Sequence, residues 1–240
     1  MINKTAMITG ASRGIGRAMA QAFAAAGYNL VLTCLHHIEE LDQLGQDLEQ
    51  TYGVSCCRFA VDAGDCEAVD SLFARIDRLD VLINNAGIAH IGLLQDMTPQ
   101  QWHRIIAIHL DGCFYTCRHA IPLMLSQGGG HILNISSVWG NVGASMEVAY
   151  SAAKGGVNTF TRALAKELAP SHIQVNAIAC GVIDTEMNHC LSAEELEILR
   201  REIPADRLGT PQEVATLALQ LVQAPGYLTG QIITLDGGFV

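Results

Sequence analysis

The chain has 240 residues, half of them apolar and 16% charged, with a formal net charge of −10 at neutral pH. That length suits one domain with a substantial buried core. The acidic balance excludes a nucleic-acid-binding face, which needs clustered Lys and Arg. The longest apolar runs are strand-sized and interrupted by glycine or polar residues, so no membrane-spanning helix is expected. The opening "MINKTAMITG" passes directly into a strand-like run without an apolar signal core, so a cytoplasmic protein is expected.

In chain order, "TAMIT" reads as a first strand and "GRAMAQAFAAAG" as a helix ending at Gly27. "NLVLTC" reads as the second strand, followed by a helix around Glu39 to Tyr52. "SCCRFAVD" and "VLINNAG" are two further strands, separated by a helix near Cys66 to Arg78. A long helix follows from about Pro99 to Gln127, then the strand "HILNIS" and a helix from about Val148 to Leu168. "IQVNAIA" and "QIITLDGG" are the last strands. All are continuous apolar runs, as expected when helices cover both faces of a sheet. Repeated βα units with right-handed crossovers imply an α/β protein built on a doubly wound parallel sheet, the Rossmann fold. Residues 1–240 are expected to form a single dinucleotide-binding and catalytic domain.

Eight cysteines in a chain of this length without a secretion signal do not argue for disulfides. His109, Cys113 and Cys117 recur every four residues on one helix face. Zinc sites pair their ligands more tightly and draw on a second cluster, so a packed helix face is expected and no metal.

In an open parallel sheet, ligands lie beyond the carboxyl ends of the strands. "TGASRGIG" stands there after the first strand and offers Gly10, Ser12, Arg13, Gly14, Ile15 and Gly16 to a cofactor. Gly10 permits a tight turn, while Gly14 and Gly16 permit close approach of phosphate and close helix packing. The helix N-terminus then presents free N–H donors to a pyrophosphate. Asp62 and Ala63 after the third strand, and Asn84, Asn85, Ala86 and Gly87 after the fourth, are further candidates. NAD-specific sites place an acidic residue at the end of the second strand. Here that place reads Cys34, Leu35, His36, His37, and Arg13 and His36 could meet a 2′-phosphate, which favours NADP(H) over NAD(H). A solvated loop is the other reading of the two histidines.

Tyr150 and Lys154 stand four apart in "YSAAK", on one face of a helix. A free phenol ionises near pH 10, and a neighbouring ammonium lowers that value and makes tyrosine a usable general acid or base. Ser137 ends the strand "HILNIS" at the same sheet edge and could hydrogen-bond a substrate oxygen.

Together, Thr9–Gly16, Asn84–Gly87, Ser137, Tyr150 and Lys154 resemble the short-chain dehydrogenase/reductase family over essentially the whole chain. The resemblance implies that Tyr150 protonates a carbonyl oxygen as hydride arrives from the nicotinamide, with Ser137 stabilising that oxygen. Lys154 would hold the nicotinamide ribose and lower the Tyr150 pKa. The segment "CGVIDTEM" would close over the nicotinamide, placing Gly181, Ile183 and Thr185 beside it. It further implies a homotetramer. The chain departs from the family pattern twice. His109 stands where Asn usually anchors a water of the proton relay, and Cys180 where Pro usually precedes Gly181.

The chain looks similar to the 3-oxoacyl-[acyl-carrier-protein] reductase branch, whose resemblance implies basic residues for docking an acidic carrier. The corresponding places read "LSQGGGH" and "APSHIQ", without Arg or Lys. "SSVWGNVGASMEVAYSAAK" instead resembles a subgroup that reduces the 5-aminopentanone modification on elongation factor P. Glu147 could favour such a cationic ketone, or it could cap the following helix. Trp139, Met146 and Met187 either line the substrate pocket or pack. A small or protein-borne ketone is therefore the leading substrate, a carrier-linked 3-oxoacyl group the second, and a non-catalytic NADP-binding sensor the third reading.

Overall fold

The computed structural model describes residues 4–186 and 193–240. Its strands are β1 (Thr5–Ile8), β2 (Asn29–Cys34), β3 (Cys56–Ala60), β4 (Val81–Asn84), β5 (Gly130–Ser137), β6 (Ile173–Cys180) and β7 (Ile232–Leu235). The helices are α1 (Gly14–Ala25), α2 (Ile38–Tyr52), α3 (Cys66–Phe73), α4 (Pro99–Ile106), α5 (Gly112–Ser126), α6 (Trp139–Val142), α7 (Val148–Leu168), α8 (Ala193–Glu202) and α9 (Pro211–Val222). The strands form one sheet in the order β3-β2-β1-β4-β5-β6-β7, and every neighbouring pair is parallel. The expected doubly wound sheet is borne out.

Strand side chains alternate between faces, yet both faces are dry. Ala6 and Ile8 of β1 pack with α1, α2 and α9, whereas Met7 packs with α3, α5 and α7. All three are 0% exposed. That is why the strand reads as an unbroken apolar run. Each large side chain buried here, such as Phe23 of α1, contributes about 1.5–3 kcal/mol. The strand order reverses between β1 and β4, and that switch point opens the crevice in which such sheets bind ligands.

Three departures bear on the site. The expected long helix is interrupted by a π-turn over Ala107–Asp111, so α4 and α5 are offset. Such turns insert a residue into the helical ladder and re-aim the side chains around it. The helix starting at Cys66 stops at Phe73, short of the expected Arg78. Helices α6, α8 and α9 fall where no helix was expected. Of these, α9 starts with a capping box: Thr210 accepts from the Glu213 N–H, and the Glu213 carboxylate accepts from the Thr210 N–H.

Candidate active site

The turns after β1 and β4 form one floor. Thr9 Oγ1 accepts from the backbone N–H groups of Asn85 and Ala86, both at 2.9 Å. Asn85 Nδ2 returns two bonds, to the carbonyls of Thr9 (2.9 Å) and Gly10 (3.0 Å). A β-carbon on Gly16 would stand 2.1 Å from the Gly10 oxygen, so only glycine lets α1 begin this close to the turn. The first turn of α1 has no side-chain cap and no acidic residue. Its N–H donors therefore face the crevice ready for an anion.

A cavity of about 670 Å³ runs from this turn to the ends of β5 and β6. Gly10, Ser12, Arg13, Gly14, Ile15 and Gly16 line its outer end. Asp62 and Ala63, then Asn85, Ala86 and Gly87, line the middle. Gly181, Ile183 and Thr185 form the opposite wall. The glycine cradle, the uncapped helix terminus and the size of the cavity fit a dinucleotide. Asn84 is a correction to the sequence reading: it is buried behind the cavity, donating to Asn134 Oδ1 at 2.9 Å and accepting from Thr116 at 2.7 Å. Consecutive strand residues point to opposite sides, so Asn85 reaches the crevice and Asn84 does not.

Charges at the outer end are arranged in pairs. Asp62 accepts from Arg104 of α4 at 2.8 Å, and Arg13 bonds Glu186 at 2.5 Å. No acidic residue stands immediately after β2, where Leu35, His36 and His37 line the cavity. His37 adopts a left-handed backbone (φ 62) and bonds Glu40 at 2.9 Å.

The inner end brings Ser137, Tyr150, Lys154 and His109 into the same cavity. Ser137 terminates β5, Tyr150 lies in the first turn of α7, and Lys154 is buried one turn further on. Desolvation pushes the Tyr150 phenol above its ordinary pKa, and the neighbouring Ser137 hydroxyl opposes that rise. Burial also lowers the Lys154 ammonium. The Lys154 Nζ donates to the Ile135 carbonyl at 2.7 Å and stands 5.6 Å from the centroid of the Tyr150 ring. Desolvation is the largest influence on Tyr150 and raises its pKa, and the expected lowering by Lys154 is not among the influences on the phenol.

His109 sits inside the π-turn, 2% exposed, with its ring edge-on to Tyr150 at 5.1 Å between centroids. Burial, reinforced by the nearby Lys154 charge, pushes its pKa down to about 3, so the ring is neutral. Its Nε2 stands 2.8 Å from the Ile88 carbonyl oxygen and 3.1 Å from the Ile88 nitrogen, and Nδ1 has no hydrogen-bond partner among the described residues. The packed-face reading describes its two helical neighbours: Cys113 donates to the His109 carbonyl (3.1 Å), and Cys117 joins the core beneath the sheet. Cys180 also lines the cavity, with burial pushing its thiol up to about 12.

At the substrate mouth, Trp139 and Glu147 line the cavity. Glu147 occupies the N-cap position of α7 but makes no side-chain cap bond. Desolvation holds its pKa above the usual value, and the neighbouring Trp139 side chain opposes that rise. Met146 does not line the cavity, which corrects the pocket-lining alternative. Its backbone turns left-handed (φ 64), leaving the side chain 45% exposed while its carbonyl accepts from Gly92 at 2.8 Å. Met187 lies outside the described residues. The sequence reading missed Arg104, Glu186, Ile88 and Leu199, which also line the cavity.

The short chain dehydrogenase model matches residues 4–196. The chain belongs to the short-chain dehydrogenase family. It is 39% identical over 240 residues to the uncharacterized oxidoreductase YmfI of Bacillus subtilis, covering 99% of each chain. It is 36% identical to the 3-oxoacyl-[acyl-carrier-protein] reductase FabG of Aquifex aeolicus, covering 98% of this chain and 96% of that one. Among solved structures it is similar to YwfH, an NADPH-dependent reductase involved in bacilysin biosynthesis (TM-score 0.93, 25% identity, 99% and 98% of the two chains). As a short-chain dehydrogenase the protein is an oxidoreductase of nicotinamide-dependent type, and its 3-oxoacyl reductase relatives support ketoreductase chemistry. No helix among the described residues is long and apolar enough to cross a membrane.

Proposed function

We propose that the protein is an NADPH-dependent reductase of a ketone that carries a positive charge, of the 5-aminopentanone type, free or protein-borne. The observation that carries the reductase half of this reading is the convergence of Ser137, Tyr150 and Lys154 at the inner end of one cavity, with the Lys154 Nζ 5.6 Å from the centroid of the Tyr150 ring. Ser137 orients the carbonyl oxygen, and Tyr150 delivers its proton to that oxygen as negative charge develops. A bound nicotinamide would supply hydride to the carbonyl carbon. Lys154 would meet the ribose of that cofactor and hold positive charge near the emerging phenolate. His109, neutral and with an open Nδ1, would hold a water for returning the proton to Tyr150. The substrate half rests on charge. Of the carboxylates lining the cavity, Asp62 is paired with Arg104 and Glu186 with Arg13, whereas Glu147 has no cationic partner among the described residues. A substrate ammonium would supply one.

NADPH preference is supported by Arg13 beside the cavity and by the missing acidic residue after β2. The second reading, a carrier-linked 3-oxoacyl reductase, is favoured by the reductases of that name among the relatives. It is disfavoured by the absence of Arg and Lys in "LSQGGGH" and "APSHIQ". NADPH oxidation measured with an amino-ketone, a neutral ketone of equal length and a carrier-linked 3-oxoacyl thioester separates these readings. The highest kcat/KM on the amino-ketone is expected. A preference for the carrier-linked substrate would establish the second reading, and no turnover with any of the three would favour a sensor. Assembly as a homotetramer belongs to the same proposal and is checked by analytical ultracentrifugation.

A further inference from the structure

The segment after β6 leans over the phosphate-binding turn. Asp184 N–H donates to the Gly209 carbonyl at 2.8 Å, and Gly209 N–H donates to the Val182 carbonyl at 2.9 Å, which anchors the segment from behind. On its front side Thr185 approaches Gly14, where a β-carbon would stand 3.4 Å from the threonine methyl. One residue on, Glu186 bonds Arg13, the residue that immediately precedes α1. Both side chains are 51% exposed, and both line the cavity. Arg13 is thus spoken for by a carboxylate on the opposite wall of the cleft.

We infer that Glu186 is a specificity-determining residue for the cofactor, competing with the 2′-phosphate of NADPH for Arg13. This rests on the NADPH reading above. Glu186 holds Arg13 through the single Nη1 donor, and a phosphate that takes the outer Nη1/Nη2 edge in the bidentate geometry guanidinium favours must displace it from Nη1. NADPH must therefore take Arg13 from Glu186 when it binds, and Glu186 reclaims it when NADP leaves. NADH carries no 2′-phosphate and leaves the pair intact. The competition lowers NADPH affinity and eases product release, while leaving NADH affinity untouched.

Binding of NADPH and NADH to the enzyme, measured by isothermal titration calorimetry without ketone substrate, tests the inference. An exposed ion pair is worth about 0.2–1 kcal/mol, so Glu186→Gln is expected to tighten NADPH by about 1.5- to 5-fold and to leave NADH unchanged. Arg13→Ala is expected to weaken NADPH by about 10-fold or more, because it removes a charge-assisted contact. In the Arg13→Ala background, Glu186→Gln is expected to do nothing further. If Glu186→Gln weakens NADPH, or shifts both cofactors equally, Glu186 acts on the cleft as a whole and the competition is wrong. Loss of discrimination in Arg13→Ala with no effect of Glu186→Gln would overturn the competition and leave the NADPH reading standing. An unchanged NADPH-to-NADH ratio in Arg13→Ala would remove both.

Discussion

Gly87 and His109 are fitted to each other: a β-carbon on Gly87 would lie 2.5 Å from Cε1 of the His109 ring. The ring cannot retreat easily, because it is buried in the π-turn, edge-on to Tyr150 and bonded to the Ile88 backbone. Gly87→Ala should therefore cost about 1–3 kcal/mol, as overpacking does. His109→Asn, which removes Cε1, should recover most of that loss in the double variant. Denaturant unfolding measures both, and a Gly87→Ala variant as stable as the wild type would mean that the ring is free to move.

The buried neutral ring also makes stability depend on pH. The His109 pKa falls from about 6.5 when unfolded to about 3 when folded, so the unfolded chain binds the extra proton. Its contribution is complete above pH 6.5 and is lost as pH falls from there toward 3. At pH 5, about 1.5 units into this window, the loss is about 2 kcal/mol. Melting curves at pH 7 and pH 5 should show this drop in the wild type and a smaller one in His109→Asn. The same variant should keep or raise turnover, since asparagine also holds water. A collapse of its activity would give the imidazole a role that asparagine cannot fill.

Tyr150 carries the proposed proton. Tyr150→Phe keeps the ring that packs on His109 and removes only the acid. Turnover should fall by about 10²–10⁴, with NADPH affinity within a factor of about two. Single-turnover rates and calorimetry on the same preparation distinguish the two effects. Near wild-type turnover would remove Tyr150 as the acid.

Glu147 is expected to act on KM for charged ketones. Glu147→Gln keeps the shape of the side chain beside Trp139 and loses the charge. KM for an amino-ketone should rise by about 10- to 100-fold, the usual worth of a hydrogen bond to a charged group. The neutral ketone should be unaffected. Equal changes for both substrates would make Glu147 a packing residue.

The site was most legible where chemistry depends on local spacing. Gly10 to Gly16 follow a strand and open a helix, and Tyr150 and Lys154 share a helix face by their separation alone. The start of α9 was legible too, since Thr210, Pro211 and Glu213 carry a capping signature that the strand-led reading passed over. Other features had no local signal. Asn84 and Asn85 are neighbours in sequence, and only the pleat of β4 decides which faces the crevice. Nothing adjacent to Glu147 foretold that it would stand at the N-cap of α7 without capping it and line the cavity beside Trp139.

From its own order of residues, the chain determined a parallel sheet with both faces covered, a glycine turn at its edge and an acid on a helix beside it. These follow from periodicity, from backbone freedom and from fixed helical spacing, which act over a few residues. The tertiary structure decided the electrostatics. Desolvation raises the Tyr150 pKa and holds His109 neutral. Arg104 is committed to Asp62 and Arg13 to Glu186, across 42 and 173 residues of chain. A pKa depends on how much water remains, and a pair depends on which walls face each other. Both are properties of the closed cavity, and neither exists until the strands have been brought together.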